Sequence, residues 1–420
     1  MLKNIILSQK EEFQNLIKAP YVQREQIKYA EKYLEKDIIK VVLGPRRAGK
    51  SVFCAHLVKD KNPAYLNFDN EALIKINDHE DLIKELLAVY GDTKYIFFDE
   101  IQNLNNWELL VNQLQRQGYN IILTGSNAKL LSHELATHLT GRHIPIEILP
   151  FNFREFLRAR NVEFDINNLS TKLKAVLLNN LSDYLTIGGF PEIVIKDLEP
   201  KDYLSTLIDS IILKDIVRRH KLRLSEKIYN LEIYLLNNFS AEFSYRKLAR
   251  KLEIKSDATV EKFVKYLSAS YLSQILSRYS HKSASRLISP KKSYLIDNGY
   301  INAKALQFSK NQGKLMENLV FSELLKRSYH PEKNLFYYKS RNDKEIDFVL
   351  HNNLKITSLI QVAYRIDNSE TKEREMKALV EAGSELKCND LKIISWDTRK
   401  TEVYKKKKIE IIPLLDWLML

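Results

Sequence analysis

The chain's 420 residues exceed one ordinary domain, and 45% hydrophobic with 28% charged residues excludes a disordered or collagen-like polymer. Its two cysteines, Cys54 and Cys388, exclude a disulfide framework and a four-thiolate zinc site, and no run reaches the roughly 18 apolar residues of a membrane span. The net charge of +13 is concentrated: 18 Lys and Arg against 7 Asp and Glu between Lys214 and Lys292 place +11 of it there. Such a block is either a solvated face or the electrostatic footprint of a polyanion partner.

The opening MLKNIILSQKEEF has no long apolar run to act as a signal peptide, so a cytoplasmic location is expected. Ile38–Leu43 is an apolar, β-branched run that predicts a strand. It enters Gly44-Pro45-Arg46-Arg47-Ala48-Gly49-Lys50-Ser51, which fits G-x-x-x-x-G-K-[ST] at every fixed position, and Val52–Leu57 continues as a helix. In such a P-loop the glycines let backbone N–H groups curl onto phosphates at a helix N-terminus. Lys50 is expected to reach the β- and γ-phosphates of ATP, and the Ser51 hydroxyl to ligate Mg2+. Arg46 and Arg47 face phosphate, a partner subunit or solvent. Cys54 and His56, on the following helix, read as core residues without metal-ligand spacing.

Pro63–Phe68 reads as a second strand and Lys94–Asp99 as a third, ending in Asp99-Glu100. Asp99 is expected to hold Mg2+ through its water shell, and Glu100 to orient and deprotonate an attacking water. Asn120–Thr124 predicts another strand, leading to Ser126 and Asn127, which either sense the γ-phosphate or cap an ordinary turn. With Ile144–Leu149 these runs predict a parallel α/β sheet that binds ligand at the carboxyl ends of its strands.

Together, GPRRAGKS, YIFFDEIQ, ILTGSNAKLL, LTGRHIPIEILPFNFREFL and, further on, YLTIGGFPEIV resemble the archaeal-type AAA ATPases of archaea and bacteria, which carry a C-terminal endonuclease-like domain. The likeness covers nearly the whole chain. It implies the AAA+ arrangement, with an extra strand between the P-loop strand and the Asp99-Glu100 strand, and Ser126-Asn127 as the sensor. It also makes Arg142 either an arginine finger completing a neighbouring subunit's site or a plain surface arginine.

Gly188-Gly189-Phe190-Pro191 interrupts helical sequence and is expected to be a hinge after the nucleotide domain, which the resemblance places near a helical lid. Asp215, Arg218 and Arg219 follow on one helix. Phe243–Leu252, a short turn and Ala258–Leu267 then form a helix-turn-helix pattern, with apolar positions at Val260, Phe263, Val264 and Leu267. The Ala269–Ser277 run and the basic residues after it supply strands for a winged version. Read as a DNA-binding module, it directs Thr259, Lys262 and Lys265 toward the groove and sets Arg246, Lys247 and Arg250 on phosphate. Read as a packing module, it binds protein instead.

From Gly313 a helix and strands resemble the restriction-endonuclease-like core, in which an acid on a strand and a downstream Glu-x-Lys hold a metal. Glu317 and Asp347 match two acidic positions, but the third motif reads Gln361-Val362-Ala363, an amide without the lysine. An inactive nuclease fold is expected, unless a lysine such as Lys344 migrates into the site.

The expected fold is α/β: a P-loop AAA+ parallel sheet with a helical lid, a winged-helix-like middle domain and a C-terminal endonuclease-like α/β domain. The boundaries fall at 1–155, 156–225, 226–300 and 301–420. The expected function is that of an ATPase, with ATP and Mg2+, which remodels or translocates duplex or branched DNA. It would work as a homo-oligomer, a ring being the form in which Arg142 completes a neighbour's site. A nucleotide-controlled switch that binds a protein partner is the alternative, and an ATP-regulated nuclease the third reading.

Overall fold

The computed structural model describes residues 2–76, 78–126, 141–165, 170–305, 311–353 and 355–420. The fold is mixed α/β, and the chain divides into two units, Met1–Pro150 and Phe151–Leu420.

In the first unit, β1 (Ile39–Leu43), β2 (Ala64–Asn67), β3 (Tyr95–Asp99), β4 (Asn120–Gly125) and β5 (His143–Glu147) form a parallel sheet in the order β2-β3-β4-β1-β5. The strand inserted between β1 and β3 is β4, as the resemblance implied. Both faces are covered, which explains why β1, β3 and β4 read as largely apolar runs rather than alternating ones. Val41, Leu43, Phe98 and Leu123 pack on one side with the helices His79–Tyr90 and Trp107–Arg116. Val42, Phe97 and Ile122 point the other way, toward α2 (Ile27–Leu34) and α3 (Lys50–Val58). α1 (Leu2–Lys18) closes the β2 edge: the Gln9 amide donates to the Asn67 carbonyl at 2.9 Å and accepts from the Asn67 N–H at 3.0 Å. A side-chain amide thus replaces the missing neighbouring strand.

The second unit opens with helices and continues into two sheets. The helix Pro200–Ser210 passes into a π-helical stretch, Ile211–Arg218, whose widened turns bury Ile211, Ile212, Asp215 and Ile216. β6 (Ala241–Phe243), β7 (Ser273–Ser277) and β8 (Lys291–Leu295) form an antiparallel sheet in the order β6-β8-β7. Between β6 and β7 lie the helices Tyr245–Lys251 and Asp257–Ala269, whose first turns are capped by the Ser244 and Ser256 hydroxyls. A six-stranded mixed sheet follows, in the order β13-β14-β12-β11-β10-β9. There β9 (Leu335–Lys339), β10 (Glu345–Asn352) and β11 (Lys355–Ala363) form a meander. The helix Ser369–Glu385 carries the chain to β12 (Leu391–Ser395), parallel to β11, and the hairpin β13 (Lys400–Tyr404) and β14 (Lys407–Pro413) ends the sheet.

The Gly188-Gly189 turn differs from the expected hinge, for it lies within the second unit and is clamped. The Gly189 and Gly299 N–H groups each donate to the Asp297 carboxylate at 2.8 Å, and Phe151 N–H donates to the Gly189 carbonyl at 2.7 Å. Gly188 has φ +76°, and a Cβ there would fall 1.6 Å from Asp297 Oδ1. Glycine serves close approach here, not motion.

Candidate nucleotide site

The P-loop joins β1 to α3. Gly44 has no room for a side chain, because a Cβ would stand 1.9 Å from the Ile148 carbonyl where the chain leaving β5 crosses it. Gly49, with φ +88°, is the left-handed residue that turns the loop into α3. Arg24, absent from the sequence-based site, is buried and pins the loop, donating to the Ala48 carbonyl at 2.9 Å and to the Leu149 carbonyl. Pro45 and Ala48 are buried, Arg46 is half-buried and Arg47 exposed.

The Lys50 ammonium donates to the Pro45 carbonyl at 2.9 Å and stands 3.8 Å from Glu100 Oε1. Asp99 ends β3 and is buried, in reach of the Ser51 hydroxyl. Its Oδ1 accepts from the Thr124 hydroxyl and its Oδ2 from Tyr65 at 3.4 Å. Burial, then the Glu100 charge, pushes the Asp99 carboxyl up to about 6. Such a buried carboxylate favours a cation beside it, and the hard oxygens of Ser51 and Asp99 suit Mg2+.

Glu100 adopts φ +50°, and its N–H donates to Thr124 Oγ1 at 2.9 Å. Burial alone would raise its carboxyl, but Lys50, Arg46 and the Gln102 amide outweigh that and hold it below the usual carboxylate range. Ser126 is buried beside it and lowers it further. Asn127 lies outside the described residues. Thus Lys50, Ser51, Asp99, Glu100 and Ser126 converge at the carboxyl ends of β1, β3 and β4. Sequence reasoning missed Thr124 and Tyr65, which ordinary strand positions conceal. Arg142 is exposed, and its carbonyl accepts from Ile39 N–H at 3.0 Å, at the start of β1 and the far end of that strand from Gly44.

In the second unit, Arg246, Lys247, Arg250, Lys262 and Lys265 are exposed on the two capped helices. Lys265 pairs with Glu261 at 2.6 Å, and Lys262 lies 5.8 Å over the Tyr266 ring. The Thr259 hydroxyl instead engages the Ser256 Oγ at 3.0 Å, inside the helix cap. Glu317, Asp347 and Gln361 do come together: Asp347 N–H donates to Gln361 Oε1 at 3.3 Å, and Val362 N–H to Asp347 Oδ2 at 2.9 Å. Burial and the Glu317 charge push the Asp347 carboxyl well up. Lys292 on β8 donates to Glu317 and Asp347 and pairs with Glu345. Lys344, the lysine considered from sequence, instead acts on Glu381.

The family model of the AAA domain matches residues 36–157, and two domains of unknown function, DUF8612 and DUF4143, match 178–312 and 312–417. An uncharacterized protein of Methanocaldococcus jannaschii is 40% identical over 90% of this chain and 88% of its own length. An uncharacterized protein of Haemophilus influenzae is 31% identical over 92% and 96%. Among solved structures, a Walker-type ATPase of Pyrococcus abyssi is similar at a TM-score of 0.45 and 15% identity, covering 67% of this chain and 95% of that one. A parallel sheet of AAA type, a P-loop at its carboxyl edge and these full-length likenesses place the chain in one family with the M. jannaschii and H. influenzae proteins, a family of AAA-domain proteins.

Proposed function

We propose that the chain binds and hydrolyses Mg·ATP and couples turnover to work on DNA. The observation that carries the ATPase is the convergence of Lys50, Ser51, Asp99 and Glu100, with Thr124 bonded to both acids. The Lys50 ammonium leaves the Pro45 carbonyl to meet the β- and γ-phosphates, and the backbone N–H groups of residues 46–51 cradle them. Ser51 and, through water, Asp99 would hold Mg2+, which would supply charge neutralisation on the phosphate oxygens. Glu100 stays ionised at neutral pH and takes the proton from the attacking water.

Lys50→Ala is expected to abolish nucleotide binding, and Glu100→Gln to keep binding while lowering turnover at least roughly 100-fold. Steady-state ATP hydrolysis and fluorescent-nucleotide titration check both, and full turnover by Glu100→Gln would remove the assigned base.

The exposed basic residues of the Tyr245–Lys251 and Asp257–Ala269 helices support DNA as the partner, met through its backbone or shape. The position of Arg142, away from its own P-loop, favours a homo-oligomer in which it acts on a neighbour. DNA-independent hydrolysis by a monomer in every nucleotide state would instead support the protein-binding switch.

A further inference from the structure

The carboxylates gathered beneath the C-terminal sheet have a cation of their own. Glu317 comes from the helix Gln312–Lys326, whereas Glu345 and Asp347 are two apart on β10 and so share a face. Into their midst β8 sends Lys292, whose Nζ lies 3.0 Å from Glu317, 2.6 Å from Glu345 and 3.3 Å from Asp347. An ammonium has three N–H donors, and here three carboxylates surround it. The Lys292 side chain is 2% exposed. The rings of Tyr294 and Tyr337 lie 6.0 and 5.9 Å from the ammonium, within range of a cation–π attraction.

A divalent metal fits this arrangement poorly. Mg2+ and Ca2+ draw oxygens in to about 2.0–2.6 Å, and a lysine nitrogen stands at the centre those oxygens would have to enclose. Two of the carboxylate oxygens also have other donors. Glu317 Oε1 accepts from Tyr294 OH at 2.6 Å, and Asp347 Oδ2 from Val362 N–H at 2.9 Å. Among the described residues, no group of three or more His, Cys, Asp or Glu side chains is arranged to hold a metal ion.

We propose that the Lys292 ammonium is a built-in cation that stands where a metal would, making this pocket a clasp between the β6-β8-β7 sheet and the six-stranded sheet rather than a metal-dependent cleavage centre. The clasp explains a buried lysine on β8, the central strand of its sheet, where an apolar residue would otherwise be expected.

The test titrates the full chain with Mn2+ in the absence of nucleotide, by calorimetry and thermal melting. Wild type and Asp347→Asn should bind Mn2+ with the same stoichiometry. Lys292→Met should gain one Mn2+ per chain, and the added Asp347→Asn change should remove it. Lys292→Met should also melt roughly 5–10 °C lower, since it strands buried carboxylates, and saturating Mn2+ should recover at least half of that loss. A folded Lys292→Met that gains no Mn2+ would overturn the proposal. If Lys292→Met does not fold, the wild-type comparison decides: a wild-type Mn2+ site lost in Asp347→Asn refutes the built-in cation. So would Mn2+-dependent cleavage of linear or branched DNA by the wild type that Asp347→Asn abolishes.

Discussion

Thr124 holds the two acids of the nucleotide site in register. Its hydroxyl hydrogen goes to Asp99, so its oxygen is free to accept the Glu100 N–H. Glu100 sits in the left-handed region, where a non-glycine backbone costs on the order of 1 kcal/mol or more and must be held by its surroundings. A methyl in place of this hydroxyl leaves the buried Glu100 N–H without its acceptor and takes one donor from the buried Asp99 carboxylate. Thr124→Val is therefore expected to lower kcat roughly 10- to 100-fold with nucleotide affinity little changed, while Thr124→Ser keeps most of the rate. Steady-state kinetics beside nucleotide titration reads this, and an unchanged kcat in the valine variant would dismiss the role. Lys50, Ser51 and Asp99 were legible in the sequence because the chemistry fixes their spacing. Thr124, Tyr65 and Arg24 were not, since each meets the site through contacts 24 to 125 residues away in sequence.

At the scale of elements, the helix Asp257–Ala269 presents one apolar and one basic face, and the two are separable. Val260, Phe263, Val264 and Leu267 are buried, while Lys262 and Lys265 are exposed. The only ion pair described for Lys265 is the exposed one with Glu261, worth about 0.5 kcal/mol or less. Replacing both lysines by alanine should thus spare the fold and basal ATP turnover while weakening DNA binding. The slope of log affinity against log salt should fall by about 2, measured by fluorescence anisotropy of labelled duplex at several salt concentrations. Parallel loss of ATP turnover would show that the helix supports folding instead. These helices and their serine caps were legible from local periodicity. The fate of the basic block was not: Lys291 and Lys292, its last two cations, are buried and spent internally, because β8 is the central strand of its sheet. Charge summed along a segment cannot distinguish a surface lysine from one that neutralises a buried acid.

At the scale of the molecule, the second unit buries a carboxyl with little compensation. Glu232 is wholly buried, receives one hydrogen bond from Ser273 at 2.9 Å, and is pushed up to about 8 by desolvation. The folded unit keeps this proton to a higher pH than the unfolded chain does, so stability is full below the ordinary glutamate range and is lost as pH rises toward 8. The loss is on the order of a few kcal/mol, and Glu232→Gln should remove it, melting above wild type at pH 8.5 but not at pH 5. Equal melting at both values would contradict the burial argument. The helix Leu414–Met419 has a consequence of another kind. It packs against Phe153–Ala159, the first helix of the same unit; Arg154 donates to the Met419 carbonyl, and Arg327 donates to the Trp417 carbonyl at 2.6 Å while lying 4.1 Å over its ring. The parallel sheet of the first unit has all its strands by residue 147. During synthesis that unit can therefore become protease-resistant early, whereas Phe151–Leu420 must wait for its last helix. Ribosome-bound chains halted at residue 413 should yield a protected fragment near 1–150 and nothing stable beyond it. Completion of the second unit is thus timed by a helix of six residues.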